Sequence, residues 1–582
     1  MNKSTFAYFL LVATLFLHAC KSKQNAAAES RPTTSNTTTL NEKERLERDY
    51  LFFEAEREKI IGNQANAASK FAAVIRIDPR SAAAHYELGQ IKLQNSQIPE
   101  ALYHAEQATK YSPENVWYQL LLATILEQQR KFDQSSKIYE RLSKLEPTNV
   151  EYRLAWADVL ARSEQYDKAI NVLNQVEALI GINETISIEK KNIFLRMNKV
   201  DKASLELQNL AKAFPYELSY KHILADFYLT NNQSDLALKT LLDIEKMDST
   251  DAQLHFSYAE YYRQMGDIDK SFKELKKAMA NPNADADNKV KVLLSYYNLT
   301  EIKKDLLDQA FELCQAFISA NQQDAKAHAV YGDFLFREKK WEAARESFSK
   351  ALHEDKSRFA IWNQLLVIDS ELNDMNSMYN TSKEAIDLFP YQPTLYLFLG
   401  SAAYRLKKYD ESVDALNQGA SLSVGNPPLS TQLYSSLGDA YHAIDKHEES
   451  DRAYEKALNF DPNNIYVLNN YAYYLTLRKE KLDKAKEMAY KTIIQEPENS
   501  SFLDTYAWVL FNRNEFQEAN QFIDRALANG GMKSATILEH KGDILYKLGK
   551  PTDALDFWIR AQQVGGGSDK LIKKIAEKKL VD

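Results

Sequence analysis

The chain has 582 residues, too many for one hydrophobic core of ordinary size, so several domains or a repeat array must account for it. Only 16 Gly and 14 Pro occur, while Ala, Leu, Lys, Glu, Gln and Tyr are plentiful, a balance that favours helix over sheet. The 81 acidic and 73 basic residues are interspersed and sum to −8, which leaves no broad positive field for phosphates or an anionic bilayer and argues against nucleic acid as a partner.

Residues 1–19 open on Met1-Asn2-Lys3, continue through an apolar run from Phe6 to Leu17 and close on His18-Ala19 before Cys20. The run is shorter than the ~20 residues that cross a bilayer, so it reads as a signal peptide rather than a permanent span. Leu17-His18-Ala19-Cys20 resembles a bacterial lipobox, with His18 standing where a small or hydroxyl residue is usual. The resemblance implies lipidation of Cys20, which becomes the mature first residue. It also implies transfer to the outer membrane, since Ser22 stands where an Asp would retain the protein, with the chain expected to face the periplasm. Residues 20–44 are polar and carry little to bury, so a flexible tether is expected there.

From there on the sequence repeats against itself. Pro79, Pro113 and Pro147 are 34 residues apart, the next step falls on Gly181 and the following one on Pro215. Before the prolines recurs a small residue, three residues, a bulky residue and a further small or apolar one, as in Ala67, Phe71, Val74 and in Ala101, Ala105, Ala108. Upstream of each lies an apolar residue followed by Gly or Ala: Leu88-Gly89, Trp156-Ala157, Tyr331-Gly332, Leu399-Gly400, Leu437-Gly438, Tyr471-Ala472, Tyr506-Ala507. The small residue allows two helices to approach closely.

These residues resemble the tetratricopeptide repeat over most of positions 48–567, with Tyr434, Gly438, Tyr441, Tyr454, Ala457 and Pro462 as a clear copy. The resemblance implies an all-α superhelix, or α-solenoid, of about 15 helix pairs whose apolar stripes are buried only by stacking. An N-terminal array over 45–280, a degenerate repeat and joint over 281–324, a C-terminal array over 325–567 and a capping helix over 568–582 are expected. Degenerate copies lie near 184–215, 291–322 and 359–390, where Met378 and Ser382 replace the expected small and bulky residues. One residue is inserted near 478–482. Asn281-Pro282-Asn283-Ala284-Asp285-Ala286-Asp287 is polar and acidic, and a bend is expected there.

Nothing in the pattern points to catalysis. There is no phosphate loop, nucleophile elbow or metal-ligand spacing; His442 and His447 have no companion ligand, and Cys314 occupies a small apolar repeat position where a buried, inert thiol is expected. No cofactor and no metal are expected. The resemblance implies instead a protein-binding scaffold, tethered to the membrane through lipid alone, for assembly of a cell-envelope complex in secretion, outer-membrane or peptidoglycan machinery. A structural spacer and an enzyme with an unrecognised site are the alternatives. In the family, positions two, five, nine and twelve of the first helix line the groove. Carried over with the Gly or Ala as position eight, they are Tyr466, Asn469, Tyr473 and Thr476; Ser501, Asp504, Trp508 and Phe511; then Glu539, Asp543 and Tyr546. The expected occupant is an extended peptide segment, and the acidic end favours one that carries Lys or Arg.

Overall fold

The computed structural model describes residues 40–566, 568 and 570–581, so Cys20 and most of the expected tether lie outside the described residues. Among these residues there are 31 α-helices and no strand. Thirty of them form fifteen antiparallel pairs, from Glu42–Ile60 with Gln64–Ile77 to Ala535–Lys547 with Pro551–Gln563, and Leu571–Glu577 closes the series. The chain is a tetratricopeptide-type α-solenoid, packed as two compact units, one reaching Tyr220 and the other beginning at Lys221.

Most pairs share the same punctuation. Most first helices open on Asn, Asp or Ser caps, such as Asn115, Asn149, Asn464 and Asn499, whose side chains accept from backbone N–H groups of the first turn, whereas Gln253, Arg358 and Gln392 hold the place without a side-chain bond. In those four repeats the periodic Pro stands two residues before the cap, so it marks entry to a pair rather than interrupting a helix. The turn inside most pairs is made by a left-handed residue, as at 62, 96, 130, 164, 198, 232 and 266, again 34 apart, while Ala286–Ile302 and Leu307–Ala320 are joined through the 3-10 helix Lys304–Leu306. Most are not glycine; Ser96, Arg130 and Glu164 adopt φ near +60°. The inserted residue is absorbed in the same turn, where both Lys479 and Lys481 are left-handed.

Within a pair, the small residue of the first helix meets the residue sixteen positions later on the second. A Cβ built on Gly332 would lie 2.6 Å from the Phe348 ring, one on Gly438 2.6 Å from Tyr454, and one on Gly542 2.4 Å from Trp558. Ala stands at this place in other pairs, as in Ala472 with Met488 and Ala507 with Ile523, all buried. The degenerate copies keep the rule by exchange. Leu366 and Ser382 invert the sizes, and both are fully buried. Lys190 replaces the small residue in the 184–215 copy and pairs at 2.8 Å with Glu206, sixteen positions on, and at 3.0 Å with Glu177.

The first helix begins at Glu42, three residues before the expected boundary, because Asn41 and Glu44 form a capping box. The stretch 281–290 lies inside the second unit. Asp285 caps helix Ala286–Ile302, and Lys289, fully buried, donates to the Asn281 carbonyl at 2.7 Å and to Asn321 Oδ1 at 2.6 Å. Cys314 is fully buried, and burial pushes its thiol well above the ordinary range, which makes it inert.

Candidate protein-binding wall

The first helices of successive pairs stand side by side and form a wall. In the second unit that wall is cross-braced by a repeated bond. The residue after the small one is an Asp in several repeats, and its partner lies 31 positions on, in the next first helix. Asp333 accepts from Gln364 at 2.8 Å and Asp543 from Lys574 at 2.7 Å, while Ser257 and Asn470 stand at the same register to Asp226 and Asp439 and lower their pKa. Burial raises the pKa of each of these aspartates, and the neutral or cationic donor partly offsets it. By this register the terminal helix Leu571–Glu577 is a shortened first helix of a further repeat.

The expected groove residues separate into two groups. Tyr466 is exposed, with its ring edge on Phe502, and Ser501 is exposed beside it. Asn469 is half-buried; its amide donates to Asn470 Oδ1 at 3.4 Å while its own Oδ1 has no partner in the chain. Tyr473 is half-buried next to Tyr474, and burial, with Asp504 and Glu539 nearby, raises its hydroxyl pKa. Tyr546 leans on Trp558 at 5.9 Å between ring centres.

The remaining residues face inward. Thr476 is 1% exposed and donates to the Ala472 carbonyl, so it packs within its helix rather than lining a groove. Asp504 is buried and pairs with His540 at 2.8 Å. Burial disfavours the His540 cation, but the charge and bond of Asp504 outweigh it and the pKa rises. Trp508 is sandwiched between Phe511, 4.7 Å away, and His540, 3.9 Å away, so it is an inter-repeat wedge; its Nε1 is buried with no partner in the chain.

Glu539 and Asp543 were expected to make the groove acidic, and both are buried instead. Lys574 bonds each at 2.7 Å, and the Ser568 backbone N–H and hydroxyl also donate to Glu539. Burial pushes the Glu539 carboxyl up, yet the Lys574 and Ser568 bonds hold it below its usual value. The sequence placed these carboxylates on the right helix; the register of the terminal helix, which neutralises them, was not read.

Nor did sequence reading select the cleft of about 730 Å³ that opens along the same wall between helices Ala325–Arg337, Phe359–Glu371 and Pro393–Arg405. It is lined by Asn363, Gln364, Gln392, Thr394, Asn426 and Arg358 over an apolar floor that includes Phe359 and Leu429. Thr394 Oγ1 is buried there with no partner in the chain. Asn363 and Thr394 are positions five and two of their helices, so the rule used for 465–546 would have found them. Among the described residues, no three His, Cys, Asp or Glu gather as metal ligands, and no helix is long and apolar enough to cross a membrane.

Comparison with known proteins supports the repeat assignment. Tetratricopeptide repeat profiles match residues 62–116 and 431–464, and the profile described as "Anaphase-promoting complex, cyclosome, subunit 3" matches residues 94–176. RNA polymerase II-associated protein 3 of Homo sapiens is 28% identical over 135 residues, covering 22% of this chain and 20% of that protein. Human tetratricopeptide repeat protein 21A is 22% identical over 170 residues, covering 29% of this chain and 12% of that protein. The chain thus spans a fifth or less of these two relatives. Among solved structures, Naa15/Naa10 bound to HypK-THB is 14% identical with a TM-score of 0.38, the alignment covering 92% of this chain and 91% of that one. The APC/C hetero-tetramer Cut9-Hcn1 is also 14% identical, with a TM-score of 0.34 over 85% of this chain and 89% of that one.

Proposed function

Because the chain is an array of tetratricopeptide repeats, we propose that it is a non-catalytic scaffold that binds an extended segment of a partner protein along the first-helix wall of its second unit. The observation that carries this reading is a pair of polar atoms on that wall, Thr394 Oγ1 and Asn469 Oδ1, that are buried and unpaired within the chain. A buried polar group left without any partner costs on the order of 1–3 kcal/mol, so these atoms favour a ligand that brings them one. A polypeptide backbone supplies both the N–H donors and the carbonyl acceptors they need, and the amides of Asn363, Gln392 and Asn426 offer the same complementarity in the cleft. The half-buried rings of Tyr473 and Tyr546 supply flat apolar contact. A Lys- or Arg-bearing segment, expected from Glu539 and Asp543, would compete with Lys574 for them.

The same reading places the scaffold on a membrane through lipidated Cys20, with the polar tether holding the repeats off the outer-membrane surface in the periplasm, where it assembles an envelope complex. The sequence of residues 1–44 supports this. Cys20→Ser is expected to shift the protein from the membrane to the soluble fraction; an unchanged distribution would refute the anchor. Binding along the wall is tested with a photo-crosslinking residue at Asn363 or Tyr473. The expected result is a discrete adduct with one polypeptide, absent when the crosslinker stands at Tyr216, which is 90% exposed elsewhere. Equal adducts from all three positions would refute the assignment.

A further inference from the structure

An aspartate follows the small residue in four first helices of the second unit, and its surroundings differ among them. Asp543 is bonded by the Lys574 ammonium at 2.7 Å. Asp226 has the charge of His222 beside it, and Asp439 accepts from the Tyr454 hydroxyl. Asp333 has an amide instead: Gln364 Nε2 donates to its Oδ1 at 2.8 Å. Asp333 is also the member of the four that lines the cleft of about 730 Å³.

The cations of its own helix, Ala325–Arg337, are committed elsewhere. Arg337, one turn further on, donates to the Tyr297 carbonyl and the Thr300 hydroxyl at 2.6 Å each and lies over the Tyr297 ring. Lys326 bonds Asp287, and His328 turns to the Gln322 carbonyl. The next first helix, Phe359–Glu371, contains no lysine, arginine or histidine. The cleft lining does hold Arg358, whose Nε bonds Asp355 at 3.1 Å. Among the described residues none of these cations pairs with Asp333. What acts on its carboxyl is burial, which raises its pKa, and the Gln364 bond, which lowers it. A half-buried carboxylate with one neutral donor favours a ligand that brings a cation.

The seat also distinguishes between cations. Gln364 occupies Oδ1, so the two-pronged seat that a guanidinium prefers is half filled, whereas an ammonium is a point charge that needs one oxygen. Ala329, one turn before Asp333 on the lining, is small, and Phe359 and Leu429 of the apolar floor suit a methylene stem. The amides of Asn363 and Asn426 remain for the backbone of the same segment. Resting on the reading that the first-helix wall binds an extended segment, we propose that Asp333 selects that segment by bonding the ammonium of a lysine laid in the cleft.

The test selects random peptides displayed on phage against the full chain, and measures them on Asp333→Asn and Asp445→Asn. Asp445 is 94% exposed, and its variant controls for the same change in net charge. The selected peptides are expected to share a lysine. Replacing it by norleucine, which keeps the stem without the charge, should weaken binding about tenfold or more on the unaltered chain and on Asp445→Asn. The same replacement should leave binding to Asp333→Asn nearly unchanged, at unaltered circular dichroism and melting. Gln364→Ala, which frees Oδ1, should raise arginine to the affinity of lysine; a chain that prefers arginine from the outset would overturn the choice of lysine. Equal losses on Asp333→Asn would overturn the inference, since lysine would then answer only to the net charge of −8. So would peptides that share no lysine yet lose binding in Asn363→Ala with Asn426→Ala, a result that keeps the wall as the binding site. Peptides indifferent to Asn363 and Asn426, or no peptide at all, would overturn both readings.

Discussion

Replacing Gly542 by Ala tests the size rule that joins the helices of a pair. The added Cβ would stand 2.4 Å from Trp558 Cδ1 and Nε1, and 3.1 Å from the Ala554 carbonyl, so the backbone on one side and a fully buried indole on the other both resist. Trp558 must move, and its Nε1 donates to Asp543 Oδ1 at 2.9 Å. Overpacking costs about 1–3 kcal/mol. A weakened bond to a carboxylate adds about 1.5–3 kcal/mol. The better helix propensity of Ala returns about 1 kcal/mol. The net is a local loss of about 1.5–5 kcal/mol, or roughly 10- to 4000-fold faster hydrogen exchange in helices Ala535–Lys547 and Pro551–Gln563. Gly89 is the control. Its Cβ would meet Leu121, His104 and Ala105 at 3.3–3.5 Å, because the residue sixteen positions on is the small Ala105, so Gly89→Ala should leave exchange unchanged or slower. Unchanged exchange in Gly542→Ala, or equal damage from both, would refute the rule.

Arg130→Gly should stabilise its pair by about 1 kcal/mol, seen as slower exchange around the turn, because Arg130 holds φ near +57° where a side chain is strained. Lys574→Gln should loosen the last repeat by about 3–5 kcal/mol, measured by proteolysis at the C-terminus, because two buried carboxylates lose their cation. His442 is stacked on Tyr474 at 3.8 Å, and burial, with His447 beside it, lowers its pKa to about 4. A histidine whose folded pKa lies below its unfolded value of about 6.5 withdraws stability as pH falls between the two. Helices Pro427–Ala443 and Ile465–Arg478 should therefore exchange faster as pH drops from 6.5 to 4, after correction for intrinsic rates, and His442→Phe should abolish that dependence.

Much of the fold was legible because its period is written in residues of unambiguous shape. The prolines, the Gly or Ala after an apolar residue and the small-bulky-small pattern gave the fifteen pairs. The turn residues were not legible, since Arg130, Glu164 and Lys407 carry no left-handed preference and their conformation is imposed by the packing of the two helices they join. The degenerate copies looked irregular only when each position was read alone; Lys190 becomes regular once Glu206 is read with it. The candidate wall was half legible. Of the residues counted onto the groove, Tyr466, Asn469 and Tyr473 keep exposed or half-buried side chains, whereas Thr476 bonds back to Ala472 in its own helix and Asp504 turns to His540 one repeat away. Lys574 falls in the stretch expected to cap the array, and its place 31 residues after Asp543 gives it the bracing role that Gln364 has for Asp333.

The most direct test of the binding wall is a titration of the purified chain with the partner segment captured from Asn363 or Tyr473. The variant Asn363→Ala, Asn469→Ala, Tyr473→Ala is measured beside it, leaving the Trp508 wedge intact. Saturable one-to-one binding, weakened about 30-fold or more in the variant at unchanged helix content, is the expected result, a loss of about 2 kcal/mol for three wall contacts. Equal affinity of the two proteins would contradict the wall as the binding site.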